Sequence, residues 1–255
     1  MNTKNTLKEK KYWNKFYTDN INNKDFMIPS QFCCLMATEI DTSKSIAEFG
    51  CGNGRDSIFL ARHGFNVMAM DLSDKGVAIN NDKIKDYDNI SFFCGDVSRQ
   101  EDVSMLLDET RLHSKAKNIV IYSRFFLHSL DDRQESIFLG ALSDGMIKGD
   151  LIYFEFRENA DLVTQKIYED HFRRFVNSDK LLERLISLNF DINYHAVGTG
   201  MAKYHEEDPI VARVMAVKQW ITAWIFRCLD FGWVYSSRLG WDNLHKKYLI
   251  KNKGN

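Results

Sequence analysis

The chain has 255 residues, 44% hydrophobic and 27% charged, the balance of an ordinary soluble globular protein with room for one large domain or two small ones. A net charge of −1 supplies no overall basic field, so nucleic acid is not an expected partner. No apolar run is long enough to cross a bilayer, and the polar start MNTKNTLKEKKYW has no signal-peptide core, which together point to the cytoplasm.

In chain order, LKEKKYWNKFYTDN first places Tyr12, Trp13, Phe16 and Tyr17 at helical spacing. Such a helix packs on the core or lies as a lid over a ligand, and one helix can do both. Strand-like runs rich in Val, Ile, Phe and Tyr follow at 45–50, 66–72, 90–96, 118–125 and 151–156, separated by helical stretches at 55–63, 73–85, 101–113 and 131–147. That alternation implies a parallel sheet covered by helices on both faces. A helix at 178–188 then leads to strands near 190–197 and 210–218. The connection between those two, GTGMAKYHEEDP, is too short for a crossover helix, so they are expected to be antiparallel neighbours. Pro29 and Pro209 are the only prolines, and no linker divides the chain. One domain over 1–218, with residues 1–44 as its lid segment, is therefore expected, followed by an aromatic extension at 219–255. In that extension Trp220, Ile221, Trp224, Ile225, Cys228 and Leu229 form a helical stripe. It suits packing on this chain's own core, a homodimer or partner-enzyme contact, or a membrane surface. The cysteines (Cys33, Cys34, Cys51, Cys94, Cys228) have no metal-ligand spacing, and their odd number argues against a disulfide framework.

The first strand–helix turn is the most informative stretch. SIAEFGCGNGRDSIFLARHGFNVMAMDLS sets Gly50, Gly52 and Gly54 at every second position, with Glu48 just before them and Asp71 at the tip of the next strand. In an open α/β sheet ligands sit at the carboxyl ends of the strands, where such glycines let a ligand approach the backbone. Asp71 could accept two hydrogen bonds from a ribose diol. A dinucleotide site prefers G-x-G-x-x-G, but Arg55 stands where that third small residue belongs. Carboxylates flanking the turn also suit a cationic cofactor better than a pyrophosphate.

The pattern E-F-G-C-G-N-G resembles motif I of the class I S-adenosylmethionine (SAM) methyltransferases, VMAMDLS resembles their second motif and ISFFCGDV their third. The stretches YWNKFY, IPSQF, YSRFFLHSLDD, HFRRF and GTGMAKYHEEDPIVARVMAVK extend the likeness over roughly residues 10 to 218. It is nearest to the thiopurine-methyltransferase-like branch and to methyltransferases of bacterial capsular polysaccharide biosynthesis. The resemblance implies a seven-stranded Rossmann-like sheet of order 3-2-1-4-5-7-6, mostly parallel. It also implies SAM as cofactor, bound by Glu48, Gly50, Gly52, Asp71 and Asp96, with Asp96 at the adenine amino group. Gln31 and Phe32 would close over it, and Cys51, Leu72, Val97 and Ser123 would complete the contacts. Cys51 is expected to be a small packing residue rather than a reactive thiol.

SAM is a strong electrophile, so the protein mainly has to align the acceptor and manage a proton. Arg124, at the end of the fourth strand, is the foremost acceptor contact, and His128 and His171 are the candidate bases. Tyr17, Arg157, Arg173, Arg174, Lys203 and Tyr204 complete the expected acceptor side. Several cations on one rim suit a small anionic acceptor, because guanidinium groups match phosphate and carboxylate oxygens. The alternative is that each arginine pairs with a neighbouring acid (Glu155, Glu158, Asp161, Glu169 or Asp170) and only fixes the loop. No metal is expected, since Asp131 and Asp132, the one nearby carboxylate pair, read better as a helix cap. The expected activity is SAM-dependent O-methylation of a sugar hydroxyl or a phosphate- or phosphoramidate-type group. The rival readings are a nucleotide-dependent oxidoreductase and a non-catalytic subunit serving a partner enzyme.

Overall fold

A computed structural model describes residues 3–21, 23, 27–163 and 174–220. Strands β1 (Ile46–Phe49), β2 (Val67–Asp71), β3 (Ile90–Cys94), β4 (Val120–Arg124), β5 (Leu151–Arg157), β6 (Phe190–Gly198) and β7 (Val211–Lys218) form one seven-stranded sheet of order β3-β2-β1-β4-β5-β7-β6. β7 runs antiparallel to β5 and β6; the other pairings are parallel. This is the expected Rossmann-like topology, including the antiparallel final pair.

Period-two alternation along the strands divides the core between two faces. Ala47, Phe49, Met68 and Met70 point to one face with Ile121 and Phe154, while Ile46, Val67, Ala69, Val120 and Tyr122 point to the other. On the first face lie α5 (Gln100–Leu112), α6 (Asp132–Gly145) and α7 (Ser178–Ser187), through residues such as Leu106, Phe138 and Leu181. On the second lie α2 (Gln31–Glu39), α3 (Arg55–Arg62) and α4 (Asp74–Lys83), through Phe32, Met36, Leu60 and Val77. The Ser73 hydroxyl caps α4 by accepting from Gly76 N. Asp131 caps α6 in a reciprocal box with Gln134, so the LDD pair is spent on a helix start, as its position before an apolar run implied.

The sequence reading missed α2 as a helix. SQFCCLMATE is apolar on most sides and has no clear period, so only its Ser30 cap (accepting from Cys33 N at 3.0 Å) marks it. Asp56 fixes this segment to α3: its carboxylate accepts from Ser30 N (2.7 Å), Ser30 Oγ (2.7 Å) and Tyr122 Oη (2.8 Å).

The edge at the amino ends of β4 and β5 is held by Asp150, which is fully buried. It accepts from Ile119 N (3.0 Å), Ile147 N (2.9 Å) and Arg111 Nη2 (2.8 Å), joining β4, α5 and the turn after α6. Hydrogen bonds to a buried charge are the strong class, so this edge is firmly tied. The packed unit spans Met1–Gln219, and a second comprises Trp220–Asn255. Of the second only Trp220 is described, so the aromatic stripe of 219–255 otherwise lies outside the described residues. Among those described, no helix is long and apolar enough to cross a membrane.

Candidate active site

The glycine turn after β1 has Gly50 at φ +73°, Gly52 at +56° and Gly54 at +74°, a left-handed backbone that side chains resist. Space forbids a side chain too. A Cβ on Gly50 would lie 2.3 Å from the Phe126 ring, and one on Gly52 would lie 2.9 Å from Tyr17 Oη. Neighbouring polar groups hold the turn in place. Gly52 N donates to Asp71 Oδ2 (2.9 Å), Gly52 O accepts from Asn80 Nδ2 (2.8 Å), and Ser73 N donates to Asp71 Oδ1 (2.9 Å). Burial raises the Asp71 pKa, and the hydrogen bonds from backbone amides oppose that rise. A carboxylate offers about four acceptor positions, so Asp71 can still accept from a ligand.

Two cavities meet above this turn. The smaller, about 80 Å³, is lined by Asp71, Leu72, Asp96 and Val97. Asp96 already accepts from Ser98 N (2.8 Å) and Ser98 Oγ (2.7 Å) through one oxygen. The larger, about 710 Å³, has Glu48, Cys51, Arg55, Asp56 and Arg124 in its wall, with Gln31, Lys203 and Tyr204 also lining it. Trp13, Tyr17, Gly50 and Phe125 border both. Trp13 and Tyr17 belong to α1 (Thr3–Asp19), which is fastened to α4 where Asn14 meets Asp74 (2.9 Å) and Ser73 (2.6 Å). The aromatic N-terminal helix therefore lies across the glycine turn.

Glu48, at the end of β1, is 4% exposed and accepts from Ser57 Oγ at 2.5 Å. Burial, then the nearby Asp56 charge, pushes its pKa well above the usual carboxylate range. Burial also drives the Cys51 thiol well up, which leaves it an inert packing residue.

Several expected site residues turn out to have other roles. Phe32 is fully buried, stacked 5.7 Å from Tyr122, and belongs to the core rather than to a cofactor cover. Ser123 is buried too, donating to Phe49 O at 3.0 Å. Arg157 is held by Asp161 (2.7 Å) and by Glu207, and Arg174 pairs with Asp132 and Glu135. Their guanidinium groups thus serve this chain's own carboxylates, the pairing that the sequence left open as an alternative to anion contact. His128 lines the large cavity, and its Nδ1 accepts from Arg157 N at 3.4 Å. His171 and Arg173 lie outside the described residues. Among those described, no group of three or more His, Cys, Asp or Glu is placed to hold a metal ion.

Arg124 both faces the large cavity and pairs with Glu155 (Nε to Oε1, 2.8 Å). The other Glu155 oxygen accepts from Arg213 Nε at 2.7 Å, while Arg213 Nη2 also holds Gln31 Oε1 (3.1 Å) and Met201 O (2.8 Å). Three residues escaped the sequence reading. Arg55 was noted only as a misplaced glycine. Arg213 sat unremarked inside the strand VARVMAVK. Phe125 adopts φ +51°, a left-handed conformation for a bulky residue that costs on the order of 1–3 kcal/mol and clusters at functional sites. Its ring lies 4.1 Å from the Arg124 guanidinium; no local pattern announces such a backbone.

Residues 46–137 match the family model described as a methyltransferase domain. The comparison with curated proteins returns no match. Among solved structures, this chain is similar to a SAM-dependent methyltransferase from Anabaena variabilis, at 17% identity and a TM-score of 0.64, over 84% of this chain and 95% of that one. It is also similar to the glycopeptide N-methyltransferase MtfA complexed with SAM, at 15% identity and a TM-score of 0.56, over 75% and 95% of the two chains. The [4+2]-cyclase SpnF shares the fold as well, at 14% identity and a TM-score of 0.56, over 74% and 80%. At these identities the likeness shows the fold alone.

Proposed function

We propose that this methyltransferase transfers the methyl group of SAM to an oxygen of a small anionic acceptor. The observation that carries the reading is the coincidence of the glycine turn with carboxylates at three strand ends. Glu48, Asp71 and Asp96 end or follow β1, β2 and β3 and line cavities that meet at Gly50. In this reading the adenosine lies in the smaller cavity, with Asp71 at the ribose and Asp96, Leu72 and Val97 at the adenine. The methionine end crosses Gly50 toward Glu48, which offers a carboxylate to the donor's ammonium. The acceptor enters the larger cavity, whose volume suits a small molecule, and the exposed Lys203 on its rim meets the acceptor's negative charge. A phosphate-type oxygen arrives ionised and needs no base, whereas a sugar hydroxyl gives up its proton as the methyl arrives, to His128 in the cavity wall or to water. The likeness of YSRFFLHSLDD and GTGMAKYHEEDPIVARVMAVK to capsule-biosynthesis methyltransferases supports a sugar hydroxyl or a phosphate-type substituent as that acceptor.

Calorimetry with SAM, S-adenosylhomocysteine (SAH) and NAD tests the donor. SAM and SAH are expected to bind and NAD to give no heat. Binding of NAD alone would overturn the reading in favour of an oxidoreductase.

A further inference from the structure

We infer that Arg55 and Arg124 form a clamp for the α-carboxylate at the methionine end of the donor, an inference that rests on the SAM reading above. It reassigns Arg124, whose place at the end of β4 otherwise suggests an acceptor contact. The two cavities adjoin at Gly50, so a donor with its adenosine beside Asp71 and Asp96 reaches the larger cavity with its opposite end. There it meets Glu48, Arg55 and Arg124 in one wall.

The donors left over in that wall point the same way. Arg124 spends its Nε on Glu155, and among the described residues its Nη groups make no hydrogen bond. The Arg55 side chain makes none either, its nearest acid being Asp56 at 3.9 Å from Nε. Neither side chain is free in solvent, with 22% of Arg55 and 14% of Arg124 exposed. Two guanidinium groups in one partly dried cavity repel each other unless an anion joins them. Burial, followed by the Arg124 charge, holds Arg55 below its ordinary pKa, with the Asp56 charge opposing. The other arginines near these two are already occupied. Arg157 is satisfied by Asp161 and Glu207, and Arg213 by Glu155, Gln31 and Met201. Glu155 braces Arg124 through Nε, which leaves its paired Nη groups directed at a carboxylate in the fork geometry. With Glu48 beside them, Arg55 and Arg124 complete a recognition site for a zwitterion.

The test compares ligands that differ only at that end, using the full chain and the variants R55Q and R124Q. SAH carries the carboxylate, decarboxylated SAM lacks it but keeps the ammonium, and 5′-methylthioadenosine lacks both. Each variant is expected to weaken SAH binding about tenfold or more and to leave 5′-methylthioadenosine unchanged. The wild-type preference for SAM over decarboxylated SAM should shrink in both. R55Q breaks no described side-chain hydrogen bond, so it carries the test if R124Q fails to fold. Unchanged SAH affinity in a folded R55Q, with the wild type binding SAH, overturns the clamp while leaving the SAM reading intact. Equal weakening of SAH and 5′-methylthioadenosine overturns it as well. A wild type that binds no SAH removes the SAM reading and the clamp together.

Discussion

The two ends of the cleft are built on different principles. On the donor side, at β1 to β3, the ionisable groups are held by the local backbone: Asp71 by the amides of Gly52 and Ser73, Asp96 by its near neighbour Ser98. At the other end, at β4, β5 and β7, charged side chains hold one another across the sheet. Glu155 bridges Arg124 and Arg213, and Arg157 joins Asp161 to Glu207. A donor site made of glycine angles and amides can be read from spacing. A network of cross-sheet ion pairs cannot, because Glu155 lies 31 residues from Arg124 and 58 from Arg213.

Breaking that network should give the largest effect. Arg157→Ala strands Asp161 and Glu207 in a buried site and is expected to cost about 3–5 kcal/mol of stability, read by denaturant unfolding. SAH affinity of the folded fraction should stay near wild type. A large loss of SAH affinity without loss of stability would erase the distinction between the two ends.

Gly52→Ala attacks the donor side through the backbone. The left-handed angle costs an alanine about 1–2 kcal/mol, and its Cβ must displace Tyr17. Weaker SAH binding by calorimetry is expected with only a modest loss of stability. Asp71→Ala removes an ionised acceptor from both the turn and the proposed ribose contact, so SAH affinity should fall about tenfold or more. A folded variant that binds SAH normally would confine Asp71 to holding the turn.

Glu48→Gln gives the smallest and most pH-dependent change. Because burial raises the Glu48 pKa above its ordinary 4.5, the folded protein keeps a proton that the unfolded chain has released over the interval between the two values. Wild-type stability therefore declines as pH rises through that interval and levels off above the folded value. The glutamine variant does not titrate there. Its unfolding free energy, read by denaturant titration, should match wild type below pH 4.5 and exceed it increasingly above, until the difference levels off above the folded-state pKa. A difference that does not vary with pH would mean Glu48 is ionised without strain.

How much could be read in advance follows the same division. Strand order, the antiparallel last pair, the turn and the Asp131 cap were legible because periodicity and glycine spacing are local properties. Phe32 was misjudged because a buried aromatic and a cofactor cover have the same side chain, and only packing against Tyr122 separates them. Arg157 and Arg174 were legible only as alternatives, free cations or paired ones, since sequence does not show which acids the loops bring near. Arg55 stood in plain view as the residue that spoils a dinucleotide motif, yet its direction into the cavity depends on Gly54 and the start of α3. The left-handed Phe125 had no signal at all.

The tightly bonded Asp150 lies at the edge of the sheet opposite the cleft. Rigidity concentrated there leaves the connections at the other edge free to change length and content without endangering the framework. The β6–β7 connection, from Thr199 to Ile210, is the natural place to exchange segments with other methyltransferases of this fold. In such a chimera the glycine turn and the strand ends of β1 to β3 stay as they are, while the graft alone changes the wall that Lys203 and Tyr204 contribute to the larger cavity.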